Sequence, residues 1–373
     1  MEELLSKLEW INDPRQSWKI KHKMQDIIAI VLFSTLGNCD DWEEIQAFAV
    51  HNEEVFREYL ELPNGIPSKD TIRRVMGMVD PEALHAFGLQ WNELLSTGEG
   101  EKLKKIINID GKTMRDSGNK HQNPWHVVSA WSKEDGICFG QTMVGAKENE
   151  IVAIPKLLDT LRINGTVITI DAIGTQTEIA KQIKKQKGDY VLAVKGNQPT
   201  LHNDIIDYFD DEDLRSKIRE TGGYKRTIEK VRGQIEKREY YQTNDVDWLS
   251  GKKKWSALGS IGMVEKTIEK DGKTTKERRY FISSLAPDIE LFERAVRGHW
   301  AIESMHWHLD VTFREDYNST LDKQAALNLN IIRKFCLNIL KLLDIGRKDA
   351  SLKLKRKAVS WNPMKYLANA FAL

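Results

Sequence analysis

At 373 residues the chain is long enough for two or three globular parts with a sizeable core. Its 56 basic and 55 acidic side chains nearly cancel, so a polyanion must be met by local basic patches and not by a global field. Three cysteines, Cys39, Cys138 and Cys336, are too few and too scattered for a disulfide framework or a zinc cluster, and are expected to be reduced and buried in a cytoplasmic protein.

In chain order, residues 1–95 read as helices, broken at Asp13-Pro14, at Gly37-Asn38 and at LPNGIPS (62–68). The run IIAIVLFSTL at 27–36 falls well short of the roughly 20 residues a bilayer span requires and is read as a core helix. The acidic N-terminus, MEELLSKLEWINDPR, lacks the basic start of a secretory signal. Ser68 is an expected N-cap for a helix carrying Arg73 and Arg74, which either grips DNA or simply packs in a bundle. From 104 the period changes: KKIINID, WHVVSAW and ICFGQTMV are β-rich runs. They are followed by IVAIPKLLDTL (helix), TVITID (strand), TEIAKQIKKQ (helix) and DYVLAVK (strand). Three meandering strands followed by alternating helix and strand is the order of a ribonuclease-H-like α/β fold, although other α/β folds share parts of it.

Residues 199–286 are acidic, then basic, then rich in strand signals (KREYYQT, GSIGMVEKTIEK, ERRYFISSL), with a hairpin turn at Asp271-Gly272. They are read as a β-rich insertion. Helical pattern resumes near 288 and runs to the C-terminus. The expected division is a helical N-terminal domain that could grip DNA (1–95), an α/β core (96–198 and 287–345), the insertion (199–286) and a basic helical C-terminal segment (346–373).

Two strands end in the same way. INIDGKT and ITIDAIGTQ each finish an apolar run with an aspartate, Asp110 and Asp171, before small residues. Ligands in open α/β sheets bind outside the carboxyl ends of strands, so while a turn accounts for either aspartate alone, the pair points to function. In RGHWAIESMHWHLD (297–310), helical spacing puts His299, Glu303, His306 and Asp310 on one face. A solvated glutamate beside aromatic core residues is the plainer reading of Glu303; a metal-binding acid is the sharper one. Two magnesium ions roughly 3.5 to 4 Å apart, held by carboxylates, suit in-line attack on phosphorus. Three carboxylates satisfy this hard ion, with manganese as its substitute. Asp110 would then bridge the ions, with Asp171 and Glu303 completing one each.

The fragments GIPSKDTIRRV, NIDGKTMR, AKENEIVAIPKLL, TIDAIGTQTEIAKQI, GDYVLAVKGNQ and RGHWAIESMHWHLDVTFREDYN, in this order and spacing, resemble the DDE-type insertion-sequence transposases of the H-repeat-associated group of Rhs elements. That resemblance implies a ribonuclease-H-like core whose catalytic acids fall on Asp110, Asp171 and Glu303. It further implies water attack at transposon ends, transfer of the freed 3′-hydroxyl into target DNA, and a dimer or larger assembly on double-stranded DNA, in the cytoplasm at the nucleoid. Related enzymes often carry Tyr and Arg seven and four residues before the glutamate and Lys seven after it; here those places hold Val296, His299 and Asp310. Arg297 is expected to supply the missing guanidinium. Further DNA contacts are expected from Lys112 and Arg115 beside Asp110, from Lys195, Asn197 and Gln198 in KGNQ, and from His299, Arg73 and Arg74. Two rivals remain: a catalytically silent DNA-binding derivative of a mobile element, and a zinc hydrolase built on His299, Glu303 and His306.

Overall fold

The computed structural model describes residues 2–95, 104–121, 123–132, 134, 136–145, 148–231 and 233–370. The expected boundary at 95/96 therefore abuts residues outside the described set. Helices α1 (Glu2–Leu8), α2 (Met24–Leu36), α3 (Trp42–His51), α4 (Glu53–Arg57), α5 (Lys69–Met76) and α6 (Pro81–Leu95) form the N-terminal part. Their boundaries follow local chemistry. Asp41 accepts from the Glu43 and Glu44 amides at the start of α3, and Ser68 accepts from Thr71 at the start of α5. Pro81 opens α6, and α2 gives way at Gly37 to Asn38, whose φ of 73° is tolerated by few side chains other than Asn.

Among the described residues nine strands form one sheet. They are β1 (Ile106–Met114), β2 (Trp125–Ser132), β3 (Ile137–Met143), β4 (Val167–Ile170), β5 (Asp189–Val194), β6 (Tyr224–Val231), β7 (Gln234–Thr243), β8 (Ser260–Lys270) and β9 (Lys273–Ser283), in the order β3-β2-β1-β4-β5-β9-β8-β7-β6. The first three are antiparallel, β1, β4 and β5 run parallel, and β9 pairs antiparallel with β5. Strands β6 to β9 thus extend the same sheet. The hairpin at Asp271 and Gly272 has φ of 49° and 73°, the left-handed pair a two-residue turn of this kind requires. Sequence reasoning missed β6, because YKRTIEKV carries as many charges as β-formers.

Helices α7 (Glu150–Thr160), α8 (Thr177–Lys185), α9 (Pro199–Asp210) and α10 (Glu212–Glu220) cover one face, where Ile107, Ile109, Ile168 and Leu192 are buried. Helix α11 (Ile289–Val311) crosses the other face, packing Phe292, Ala295 and Val296 on Ile106, Val167 and Val191. Helix α12 (Lys323–Leu342) is buried along nearly its whole length. With α13 (Leu352–Trp361) and α14 (Pro363–Ala370) it shares one core with α2, α3, α5 and the Ile302, Met305 and Leu309 stripe of α11. The C-terminal segment is less of a basic surface than its sequence suggests, since Arg356 is fully buried and donates to the carbonyls of Thr35, Cys39 and Thr312. The three cysteines are free and buried. Among the described residues no helix is long and apolar enough to cross a membrane.

Candidate active site

The parallel ladder between β1 and β4 ends at the pair Ile109 and Ile170. Asp110 and Asp171 are the next residue of each strand, so register sets them side by side. Strand alternation turns Asn108, Asp110 and Lys112 to the α11 face. Only Asp171 terminates its strand; β1 continues to Met114 because β2 still pairs with it, Asp110 opposite Ser129 and Lys112 opposite Val127. The expectation that both aspartates close a strand is corrected for Asp110, which lies where the parallel pairing stops, within a longer strand.

Glu303 comes from α11, and all three carboxylates line one cavity of about 250 Å³ together with Lys195, His202, His299 and Arg279. Burial pushes the Asp110 carboxyl up to about 7, against the donation of the Gly111 amide and reinforced by Asp171, Glu150 and Glu303. Asp171 is likewise raised by burial, although it accepts from the Gly174 amide at 3.2 Å. Among the described residues no three acidic, histidine or cysteine side chains form a ready-made metal shell.

The polar face of α11 runs along β1. His299 Nδ1 lies 3.2 Å from Thr169 Oγ1, and His306 Nδ1 lies 3.5 Å from Asp110 Oδ2. Asp310 pairs with Lys112 at 2.5 Å. Burial drives His306 down to about 3, with Lys334 and Lys112 adding to the effect, so it is neutral. The guanidinium groups of Arg238 and Arg279 lie over the Trp300 ring, 5.4 and 5.3 Å from its centre, tying α11 to β7 and β9.

The residues expected to touch DNA fall into two groups. Lys195 is exposed at the cavity, Arg115 is largely exposed beside Asp316, and Arg73 and Arg74 are exposed on α5. The others are tied more closely into the chain. Lys112 is 9% exposed and surrounded by Asp310, Glu315 and Asp316; burial alone would lower its pKa, but these acids outweigh it and raise it. Arg297 pairs with Glu229 at 2.7 Å and Glu293 at 3.4 Å. Asn197 and Gln198 donate to the carbonyls of Ala172 and Thr175, tying the loop after β5 to the loop after β4.

Sequence reasoning missed Glu150 and His126. Glu150 opens α7 and its Oε1 accepts from His126 Nε2 at 2.7 Å, while His126 Nδ1 meets Thr113 Oγ1 at 2.8 Å. The pair sits against Gly111. A Cβ there would lie 2.2 Å from Glu150 Oε1 and 2.4 Å from His126 Nε2, so Gly111→Ala must displace both side chains next to Asp110. Expected is a loss of thermal stability, checked by melting the variant against the wild type, with Gly111→Ser at least as harmful.

The chain belongs to the DDE transposase family. Residues 101–339 match the family model described as "Transposase DDE domain", and residues 5–92 match the one described as "DDE_Tnp_1-associated". It is 36% identical to "Putative transposase YncI" of Escherichia coli O157:H7, over 97% of this chain and 93% of that protein. It is 33% identical to "H repeat-associated putative transposase YhhI" of Escherichia coli (strain K12), over 100% and 98% respectively. "Inactive transposase YbfQ" of the same strain is 32% identical over 20% of this chain and 90% of its own length.

Proposed function

We propose that this chain cleaves transposon ends and transfers the 3′-hydroxyl strand into target DNA, with Asp110, Asp171 and Glu303 holding two magnesium ions, or manganese in their place. On this reading the strands in order β3-β2-β1-β4-β5 are a ribonuclease-H-like core, β6–β9 an elaboration within the same sheet, and the N-terminal helices an accessory DNA-binding part. The observation that carries the reading is the crowding of desolvated carboxylates in one cavity, with Asp110 pushed up to about 7. A hard divalent cation offsets that crowding with the oxygen donors it prefers. When bound, the ions activate the attacking hydroxyl and stabilise the leaving oxygen.

The chain's own residues hold the DNA around that point. Lys195, Arg115, Arg73 and Arg74 are the phosphate contacts we assign, since each is exposed, although Arg115 lies 3.4 Å from Asp316 and Arg73 3.6 Å from Asp70. Lys112, Arg297, Asn197 and Gln198 act one step back, fixing β1, α11 and the loops that carry the acids. Two ends must be joined, so a dimer or larger assembly forms on the DNA.

The test is cleavage of a labelled duplex bearing the inverted repeats that flank the gene, by metal-stripped full-length protein with ions added back. Magnesium or manganese should restore cleavage in the wild type, and Glu303→Gln should remove it while end binding persists. Activity restored by zinc alone would favour a histidine-based hydrolase, and binding without cleavage under any ion would leave a silent DNA-binding derivative.

A further inference from the structure

His299 occupies a place on α11 one turn before Glu303, and its surroundings fix which of its nitrogens carries the proton. The chain of reasoning starts at Asn108, fully buried on β1, whose amide nitrogen donates to the Trp131 carbonyl at 3.1 Å. That contact orients the amide, leaving Oδ1 as an acceptor. Thr169, 2% exposed on β4, must therefore donate its hydroxyl hydrogen to Asn108 Oδ1, at 2.8 Å. With its proton spent, Thr169 Oγ1 can only accept from His299, 3.2 Å away at Nδ1. His299 is thus the Nδ1–H tautomer, and Nε2 carries a bare lone pair. The helix comes this close because residue 298 is glycine: a Cβ there would stand 3.1 Å from Asn108 Oδ1. No group among the described residues hydrogen-bonds Nε2, and the ring lines the cavity of the three acids. Burial, with the Arg279 and Lys195 cations adding to it, holds the imidazole down to about 4.

We infer that His299 Nε2 is the hydrogen-bond acceptor that orients the attacking hydroxyl, first water and then the terminal 3′-hydroxyl, against the phosphorus, with Thr169 and Asn108 as the positioning residues that fix its tautomer. The role rests on the function proposed above. The attacking oxygen forms the new O–P bond as the P–O3′ bond breaks. The departing oxygen takes a proton from solvent, and the nucleophile's proton is released to solvent, so the imidazole stays neutral throughout. A neutral ring with one fixed acceptor suits alignment of a donor, whereas a phosphate contact needs a cation or an N–H at that edge.

Two readouts on the full-length protein test this, one independent of activity. The first is the tautomer of His299 from imidazole nitrogen NMR, its signals assigned by their loss in His299→Gln. Wild type and Thr169→Ser should carry hydrogen on Nδ1 and none on Nε2, and Thr169→Val should relax that preference. The second is single-turnover cleavage of the end duplex in magnesium. His299→Ala should slow it by roughly ten- to a hundredfold, the scale of a misplaced nucleophile. Thr169→Val should slow it less, Thr169→Ser should restore it, and end-duplex affinity should hold in all. An Nε2–H tautomer in the wild type overturns the inference, as does wild-type cleavage by His299→Ala or a Thr169→Ser enzyme as slow as Thr169→Val. A wild type that cleaves with no ion, yet shows the Nδ1–H tautomer, overturns the proposed function and the role of Nε2 with it, while leaving the Asn108–Thr169 relay standing.

Discussion

Asp110→Asn should lose DNA cleavage by roughly a thousandfold or more, the scale of the several kcal/mol that a metal ion supplies. Without metal at pH 7.5, it should nonetheless melt at a higher temperature than the wild type. Both effects come from one buried charge. The Asp110 carboxyl titrates near 3.8 when exposed and is pushed up to about 7 in the fold, by burial above all. A raised carboxyl binds its proton more tightly folded than unfolded, so its cost to stability is absent below about 4. The cost grows as the pH climbs to 7 and is fully present above that. Asparagine keeps the shape and removes the charge. The melting difference between variant and wild type, in chelator, should therefore widen from pH 4.5 to pH 8, and magnesium should raise the wild type more than the variant. Asp171→Asn should follow the same direction. A variant that melts lower than the wild type at every pH would show that Asp110 is scaffold and not a ligand.

The second large effect lies away from the cavity. Glu315 and Arg333, both fully buried, face each other at 3.5 Å. Glu315 also accepts from Asn330 at 2.7 Å and lies 3.4 Å from Lys112, while Arg333 donates to the Asp40 carbonyl at 2.7 Å. Asp40 in turn pairs with the buried Arg356 at 2.9 Å. Arg333→Met leaves a buried carboxylate with Lys112 as its one nearby cation among the described residues, and should cost about 3–5 kcal/mol. Glu315→Gln strands the guanidinium and should cost similarly. The double variant should lose less than the sum of the two, by about 0.5–3 kcal/mol of coupling, read from urea denaturation of all four proteins. Strict additivity would mean that the pair does not act as a unit.

The two aspartates were legible because an apolar β-run that meets an acid before small residues is unusual, although β1 runs on past Asp110. Glu303 was legible because helical spacing groups it with His299 and His306. Their meeting was not, since it depends on the Ile109–Ile170 register and on α11 returning across the sheet after five further strands. The same limit explains the basic residues. Composition identifies Lys112 as a cation beside a candidate acid, but its partners Asp310, Glu315 and Asp316 lie some 200 positions on. Arg297 was expected to face DNA, and nothing local announces Glu229 from β6. Glu150 stood inside a motif already singled out, yet its spacing says only that a helix begins there; its contact with His126 comes from the third dimension.

The burial of α12 has a consequence for how the chain is made. The N-terminal helices are complete by Leu95, yet the helix that closes their core begins at Lys323, 228 residues later. At about 5–20 residues per second of synthesis, the completed set of N-terminal helices, α2 with its run of Ile27, Ile28, Ile30, Val31 and Leu32 among them, waits roughly 11–46 s before synthesis reaches α12. A message truncated anywhere before α12 therefore yields N-terminal helices that lack the helix on which their shared core closes.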